Sequence, residues 1–313
     1  MYSITAKRMI SGLVLKYLKD MGLVMGKSYA TTLPASSKVL LTRPFQGRSL
    51  LFQNTDLDGL EVDDTQLTDL PTRSPQFGFP LWGGEKTWIA PDASWVNGAP
   101  FPVLDSGAYQ ITSRSSTHVD MTSAVCPTSR LSVSRRITLT SAESWDIEHI
   151  VANHGTSLRL TGIWSVMMLN TPAKIGVELV DPAHHPVFGS AEGMIATHGK
   201  GIVVDCNRQQ EFKVRLPNPN GRTVARCGAD GPLLMCSVPE LQQGDQFAHD
   251  YPFEVFNSGD YAYCEAEWHS PARNLAPNET LNFRQTFRVL AEEDASQMPL
   301  GLTNNKEFLS CMS

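Results

Sequence analysis

Beyond residue 28 the apolar stretches of this chain are short, alternate with period two, and are cut at close intervals by Gly, Pro, Asn and Asp. That pattern suits strands, because a strand face needs only a few alternating residues, whereas a helix needs a 3.6-residue period kept over several turns. Runs of this kind lie at 86–90, 109–112, 119–122, 131–140, 145–153, 157–169, 174–179, 202–205, 212–216, 253–256, 261–269 and 281–290. Earlier, 39–42 and 49–52 flank Pro44-Phe45-Gln46-Gly47 and read as a hairpin with a Gly turn. Asn153-His154-Gly155 marks a turn between the 145–153 and 157–169 runs. No amphipathic helix and no fixed-period repeat follows residue 28. The fold class is therefore all-β, a large antiparallel sandwich.

The first 28 residues differ. Ile10, Leu13, Val14, Tyr17, Leu18, Met21 and Val24 recur at helical spacing, while Lys16, Lys19 and Asp20 break any continuous apolar segment. A short N-terminal helix over 1–28, one β domain over 29–295 and a tail over 296–313 is the expected organisation. No stretch reaches the length of a transmembrane helix.

Composition narrows the function classes. With 41% hydrophobic and 19% charged residues the chain has globular rather than disordered character. A net charge of −6 and scattered basic residues leave no footprint for nucleic acid. The six cysteines form no C-x-x-C pair, which favours reduced thiols and a cytoplasmic protein. Cys227 and Cys236 flank Gly228-Ala229-Asp230-Gly231 and would bridge a hairpin only in an oxidising compartment. No motif calls for a cofactor or a metal; the spacing of Asp56, Asp58 and Asp63 matches no calcium loop. Oligomeric state leaves no mark on the sequence.

The richest segment for chemistry runs from Tyr261 to His269. Read as a strand, it sends Ala262, Cys264, Ala266 and Trp268 to one face and Tyr261, Tyr263, Glu265, Glu267 and His269 to the other. Neighbours on one face stand roughly 6.5–7 Å apart, a spacing that suits proton transfer or sugar hydroxyls. The bland alternative is a half-exposed strand whose glutamates pair with arginines. Those arginines have a candidate source in the 281–289 strand, where Leu281, Phe283, Phe287 and Val289 turn inward and Arg284 and Arg288 outward. If the two strands pair, Arg284 and Arg288 meet Glu265 and Glu267.

Three tryptophans, 82, 88 and 95, fall in one Gly- and Pro-rich stretch, and flat indoles serve as platforms for sugar rings or as loop anchors. Lys86 alternates with Trp88 and shares its face. His149 sits in the Ile147/Val151 stripe and reads as a hydrogen-bonded interior histidine. His184 and His185 lie on a loop between prolines.

The run Trp82-Gly-Gly-Glu-Lys-Thr-Trp-Ile-Ala-Pro91, then Arg135-Arg-Ile-Thr-Leu139, Ile163-Trp164, Glu265-Ala-Glu-Trp-His-Ser-Pro271 and Leu275-Ala-Pro-Asn-Glu-Thr280, resembles an uncharacterised bacterial domain family of the galactose mutarotase-like superfamily. The match covers roughly residues 38–292. It implies a two-sheet supersandwich with a sugar-facing sheet. It does not carry over the epimerase mechanism. Aldose epimerases open a strand motif of the type Asn-His-Ser-Tyr-Phe with a catalytic histidine, and the similar stretch here is Ile163-Trp164-Ser165-Val166-Met167. An indole N–H donates a hydrogen bond but does not shuttle a proton. Glu265 or Glu267 corresponds to the epimerase base, and the choice between them stays open.

The leading expectation is a carbohydrate-binding protein that holds a saccharide through Lys86, Trp88, Trp164 and Arg288, with Glu265, Glu267 and His269 as the groups able to do chemistry. A sugar epimerase or other carbohydrate-modifying enzyme using a glutamate base is the alternative, and a structural domain without ligand is the third. Glycoside hydrolysis fits poorly, because its two carboxyls must flank a bond and neighbours on one strand rarely do.

Overall fold

The computed structural model describes residues 29–32, 39–42, 85–105, 109–114, 118–140, 144–178, 184–198, 201–207, 210–228, 233–260 and 262–290. The expected N-terminal helix, the 49–52 run, Trp82, Tyr261 and the 296–313 tail lie outside the described residues. Strands β1 (Tyr29–Thr32) and β2 (Val39–Thr42) pair with each other, so the 39–42 run finds its partner upstream of the expected hairpin.

The remaining strands form two antiparallel sheets. The first is built from β3 (Glu85–Ala90), β8 (Arg159–Asn170), β10 (His185–Gly189), β13 (Phe212–Leu216), β16 (Phe253–Asn257), β17 (Tyr263–His269) and β18 (Arg273–Leu275). Its order is β10-β13-β16-β17-β8, with β3 also on β8. Strand β18 pairs with the first residues of β8, where Arg273 stands opposite Thr161.

The second sheet contains β4 (Tyr109–Arg114), β5 (His118–Ser123), β6 (Leu131–Leu139), β7 (Ser144–Asn153), β9 (Ala173–Glu178), β11 (Ile195–His198), β12 (Gly201–Cys206), β14 (Arg222–Cys227), β15 (Leu233–Ser237) and β19 (Thr280–Leu290). They run in the order β11-β12-β9-β14-β15-β19-β7-β6-β5-β4. A single helical turn, α1 (Pro102–Asp105), follows β3. The all-β sandwich expected from the spacing of apolar runs is the fold observed.

The core lies between the sheets. From the first come Cys264, Ala266, Trp268, Val255 and Val214; from the second come Phe283, Phe287, Ile147, Val151 and Val133. Phe287 is the joint between the layers: Trp145 stacks on it at 5.3 Å and Trp268 of the opposite sheet meets it edge-on at 5.9 Å. Such aromatic pairs add to the area they bury.

The same interior holds one polar set. His149 is buried between Thr87 Oγ1 and Gln285 Oε1, each 2.8 Å from a ring nitrogen, which bears out its reading as an interior histidine. Beside it Glu85 pairs with Arg135, and Ser165 Oγ donates to Glu85 Oε1 at 2.8 Å. These contacts tie β3 and β8 to β6 and β7 across the sandwich. Burial keeps the His149 imidazole neutral, its pKa pulled down to about 3.

The turn at Asn153 forms, with its Oδ1 accepting the Gly155 N–H at 2.9 Å, and it carries the chain from the second sheet to the first. Strand β19 pairs with β7 and β15, not with β17, so Arg284 bonds Asp146 at 2.5 Å and Arg288 stands on the exposed face of the second sheet. The β14–β15 hairpin puts Cys236 opposite Thr223, and neither Cys227 nor Cys236 is in a disulfide. Strand β10 is an exposed edge with Pro186 and a register shift between Pro186 and Phe188.

Phe287→Ala should cost about 3–5 kcal/mol of unfolding free energy in urea titrations, since it empties the joint between two tryptophans. Arg288→Ala, on the exposed face of the same strand, should stay within about 0.5 kcal/mol.

Candidate functional site

Alternation along β17 sends Cys264, Ala266 and Trp268 into the core and Tyr263, Glu265, Glu267 and His269 to the other face of the first sheet. Register then builds rows across that face. Arg215 stands opposite Glu254, Glu254 opposite Glu267, Glu267 opposite Val166, and Val166 opposite Lys86. In a neighbouring row His269 faces Trp164, which faces Trp88. The expected residues Lys86, Trp88, Trp164, Glu265, Glu267 and His269 therefore share one face. Arg288 does not; it belongs to the other sheet.

The group at the centre is one the sequence reading passed over. Lys213 Nζ lies 2.8 Å from Glu267 Oε2 and 2.9 Å from Glu254 Oε2, and 4.7 Å from the centre of the Trp164 ring. Trp164 Nε1 donates to Glu267 Oε2 at 2.7 Å. Trp95 stacks on Trp164 at 5.5 Å, Trp88 and His249 meet it edge-on at 5.0 and 4.6 Å, and His269 stacks on it at 5.4 Å. Trp88 Nε1 donates to Asp105 Oδ1 at 2.8 Å, and Lys86 Nζ lies 3.7 Å from the same oxygen. Helical turn α1 thus supplies the carboxylate that answers the Lys86 charge.

Glu254, Arg215 and His249 complete the set. Arg215 Nε donates to Glu254 Oε1 at 2.9 Å, while His269 Nε2 and His249 Nδ1 lie 3.3 and 3.5 Å from Glu254 Oε2. The alternation Phe212-Lys-Val-Arg-Leu216 could have signalled Lys213 and Arg215, and Phe253-Glu-Val255 likewise Glu254. His249 comes from the segment before β16 and carries no sequence signal. His185 stands opposite Arg215 at the sheet edge, its ring 4.9 Å from Tyr251, and His184 is exposed.

Burial and charge divide the titrating groups. Burial lifts Glu265 to about 7 against the pull of Lys213 and Lys86. Burial, helped by the charges of Glu254 and Glu265, lifts Glu267 to about 8. Burial also pushes at Glu254, but hydrogen bonds from His249 and His269 and the Lys213 charge hold it well below the usual carboxylate range. His269 is lowered by burial to about 4, so its ring is neutral near pH 7. Lys213, whose burial alone would lower it, is held above its ordinary value by Glu267 and Glu254 and stays an ammonium. Two carboxyls that exchange protons near neutrality, beside an uncharged imidazole, are equipped for acid–base work.

Two polar atoms in this cluster, Glu267 Oε1 and His269 Nδ1, are buried with no hydrogen-bond partner among the described residues. Such vacancies are costly unless something fills them.

No protein-family model and no curated protein matches this sequence. Solved structures do match it in fold. The Slr1438 protein of Synechocystis is 10% identical with a TM-score of 0.53, over 85% of this chain and 91% of that one. A galactose mutarotase-like protein of Lactobacillus casei is 9% identical with a TM-score of 0.50, over 85% and 98%. A candidate mutarotase (YeaD) of Salmonella typhimurium is 12% identical with a TM-score of 0.52, over 84% and 87%. The chain has the galactose mutarotase-like fold, and at such identities the likeness extends to the fold alone. Among the described residues no helix is long and apolar enough to cross a membrane.

The shifts above set a pH dependence. A carboxyl whose folded pKa is raised stabilises the fold fully below its unfolded value and loses that contribution as pH climbs through the folded value. Glu265 and Glu267 therefore erode stability between about pH 4.5 and 8. His149 and His269, with lowered folded values, act in the opposite sense, but only below their unfolded value of 6.5. Unfolding free energy measured in urea should thus fall from pH 6.5 to 8, and the Glu265→Gln/Glu267→Gln double variant should flatten that slope. An unchanged slope in the double variant would contradict the assignment.

Proposed function

We propose that this protein binds a saccharide on the face of the first sheet that carries Glu265, Glu267, His269, Trp164, Trp88 and Lys86. The observation that carries the reading is their convergence, with Glu267 Oε1 and His269 Nδ1 left unpartnered beside a cluster of indoles. Sugars present apolar C–H faces to aromatic rings and hydroxyls to carboxylates, so one ligand class satisfies both. The rim toward β13 supports an approach from that side, since the Arg215 and Asp250 side chains are 29% and 81% exposed. The likeness in fold to proteins named for mutarotase activity points to the same ligand class.

An epimerase reading has its own support in the raised pKa values of Glu265 and Glu267. Opening a cyclic hemiacetal requires one group to take the anomeric hydroxyl proton and another to protonate the ring oxygen. Near pH 7 Glu267 holds a proton to give, while neutral His269, its Nε2 turned to Glu254, offers Nδ1 as acceptor. That assignment reverses the glutamate-base role expected from the sequence.

Tryptophan fluorescence titration with a panel of mono- and oligosaccharides tests both. A saturable change, weakened at least about tenfold by Trp88→Ala and retained in Glu265→Gln, is the expected result for binding, at about 1.4 kcal/mol per tenfold. Loss of anomer interconversion in Glu267→Gln with binding retained would mark the enzyme. A flat response to every sugar would overturn the proposal.

A further inference from the structure

Among the described residues one group has donor atoms arranged as for a metal ion: His249, Glu254 and His269, whose ligating atoms all lie within 4.8 Å of one another. They come from three places in the chain, the segment before β16, β16 itself and the end of β17, so no sequence motif announces them. All three are buried.

The distances favour coordination over plain hydrogen bonding. Charge-assisted N–H···O bonds cluster at about 2.7–2.9 Å. Here His269 Nε2 and His249 Nδ1 stand 3.3 and 3.5 Å from Glu254 Oε2, long for such bonds in a buried site. Donors bonded at about 2.0–2.2 Å to a tetrahedral ion are separated by roughly 3.3–3.6 Å. The two distances from Glu254 Oε2 match such an edge, and all three donor atoms lie within 4.8 Å of one another.

The outer ring is also in place. The second nitrogen of His249, Nε2, accepts the Asp92 backbone N–H at 3.4 Å and lies 3.5 Å from Asp92 Oδ1, so Asp92 holds the outer edge of that ring. Arg215 and Lys213 fix the Glu254 carboxylate from both oxygens. The Lys213 charge does not exclude a cation, because Glu267 also binds that ammonium at 2.8 Å.

We propose that His249, Glu254 and His269 bind a divalent first-row transition ion of the zinc class. Two imidazoles and one carboxylate suit such ions better than magnesium or calcium, which prefer oxygen donors. Three protein ligands leave at least one coordination position for water or for a ligand oxygen.

The test uses the full chain, stripped with a chelator and titrated with cobalt(II) while visible absorption and bound metal are followed. One equivalent of cobalt with ligand-field bands is expected, together with an affinity at least about tenfold weaker in His249→Ala and also reduced in Asp92→Asn. Asp92 has a side chain 60% exposed, so its variant should keep the fold even if the histidine variant does not. No cobalt bound, or an affinity unmoved in both variants, would overturn the proposal. Repeating the saccharide titration on the chelated protein separates the two readings, since sugar binding there would survive the loss of the metal.

Discussion

An ammonium taken out of water costs several kcal/mol unless other groups replace its hydration. Lys213 meets that condition with two carboxylates and an indole face, and the outer surface of the first sheet is organised by what those three groups do next. Glu267 receives the Trp164 N–H; Trp164 receives the rings of Trp95, Trp88 and both histidines; Glu254 receives Arg215 and the imidazoles. Removing the ammonium would leave two buried carboxylates facing each other across β16 and β17. The arrangement thus has a single charged pivot, on a strand whose neighbours in sequence are ordinary core residues.

Strand β3 shows how closely two buried ionic sets are joined. Glu85 and Lys86 are consecutive, so the pleat sends them to opposite faces of the sheet. Glu85 enters the sandwich interior and meets Arg135; Lys86 faces outward and meets Asp105. Each removal of a partner would strand a charge in a dry place. A strand held this way resists both sliding and peeling, since a shift of one residue would bring each charge to the wrong side. That rigidity is what allows Trp88, two residues on, to present its ring at a fixed angle to Trp164.

Period-two alternation made half of this legible in advance. The two faces of β17, the inward stripe of β19 and the interior place of His149 each depend only on side chains along one strand, and each appears as read. What alternation does not encode is which strand lies beside which. Arg284 and Arg288 face outward as expected, but β19 is joined to β7 and β15, so its arginines never reach Glu265 and Glu267. The partner that does reach Glu267 is Lys213, fifty-four positions upstream. Glu254 and His249 escaped for the same reason: a lone acidic or imidazole group acquires meaning only when pairing brings others to it. Trp164 takes a hydrogen-bonding role at Glu267, without a proton to trade.

Among the described residues no strand pairs with the outer side of β10, and Phe188 is 45% exposed upon it. A strand edge that carries an aromatic ring is an invitation to stray chains. Pro186 withholds an amide hydrogen from any newcomer, and the offset that follows puts the next residues out of step with a straight ladder. The sheet therefore carries, on this margin, its own guard against growing into a fibre.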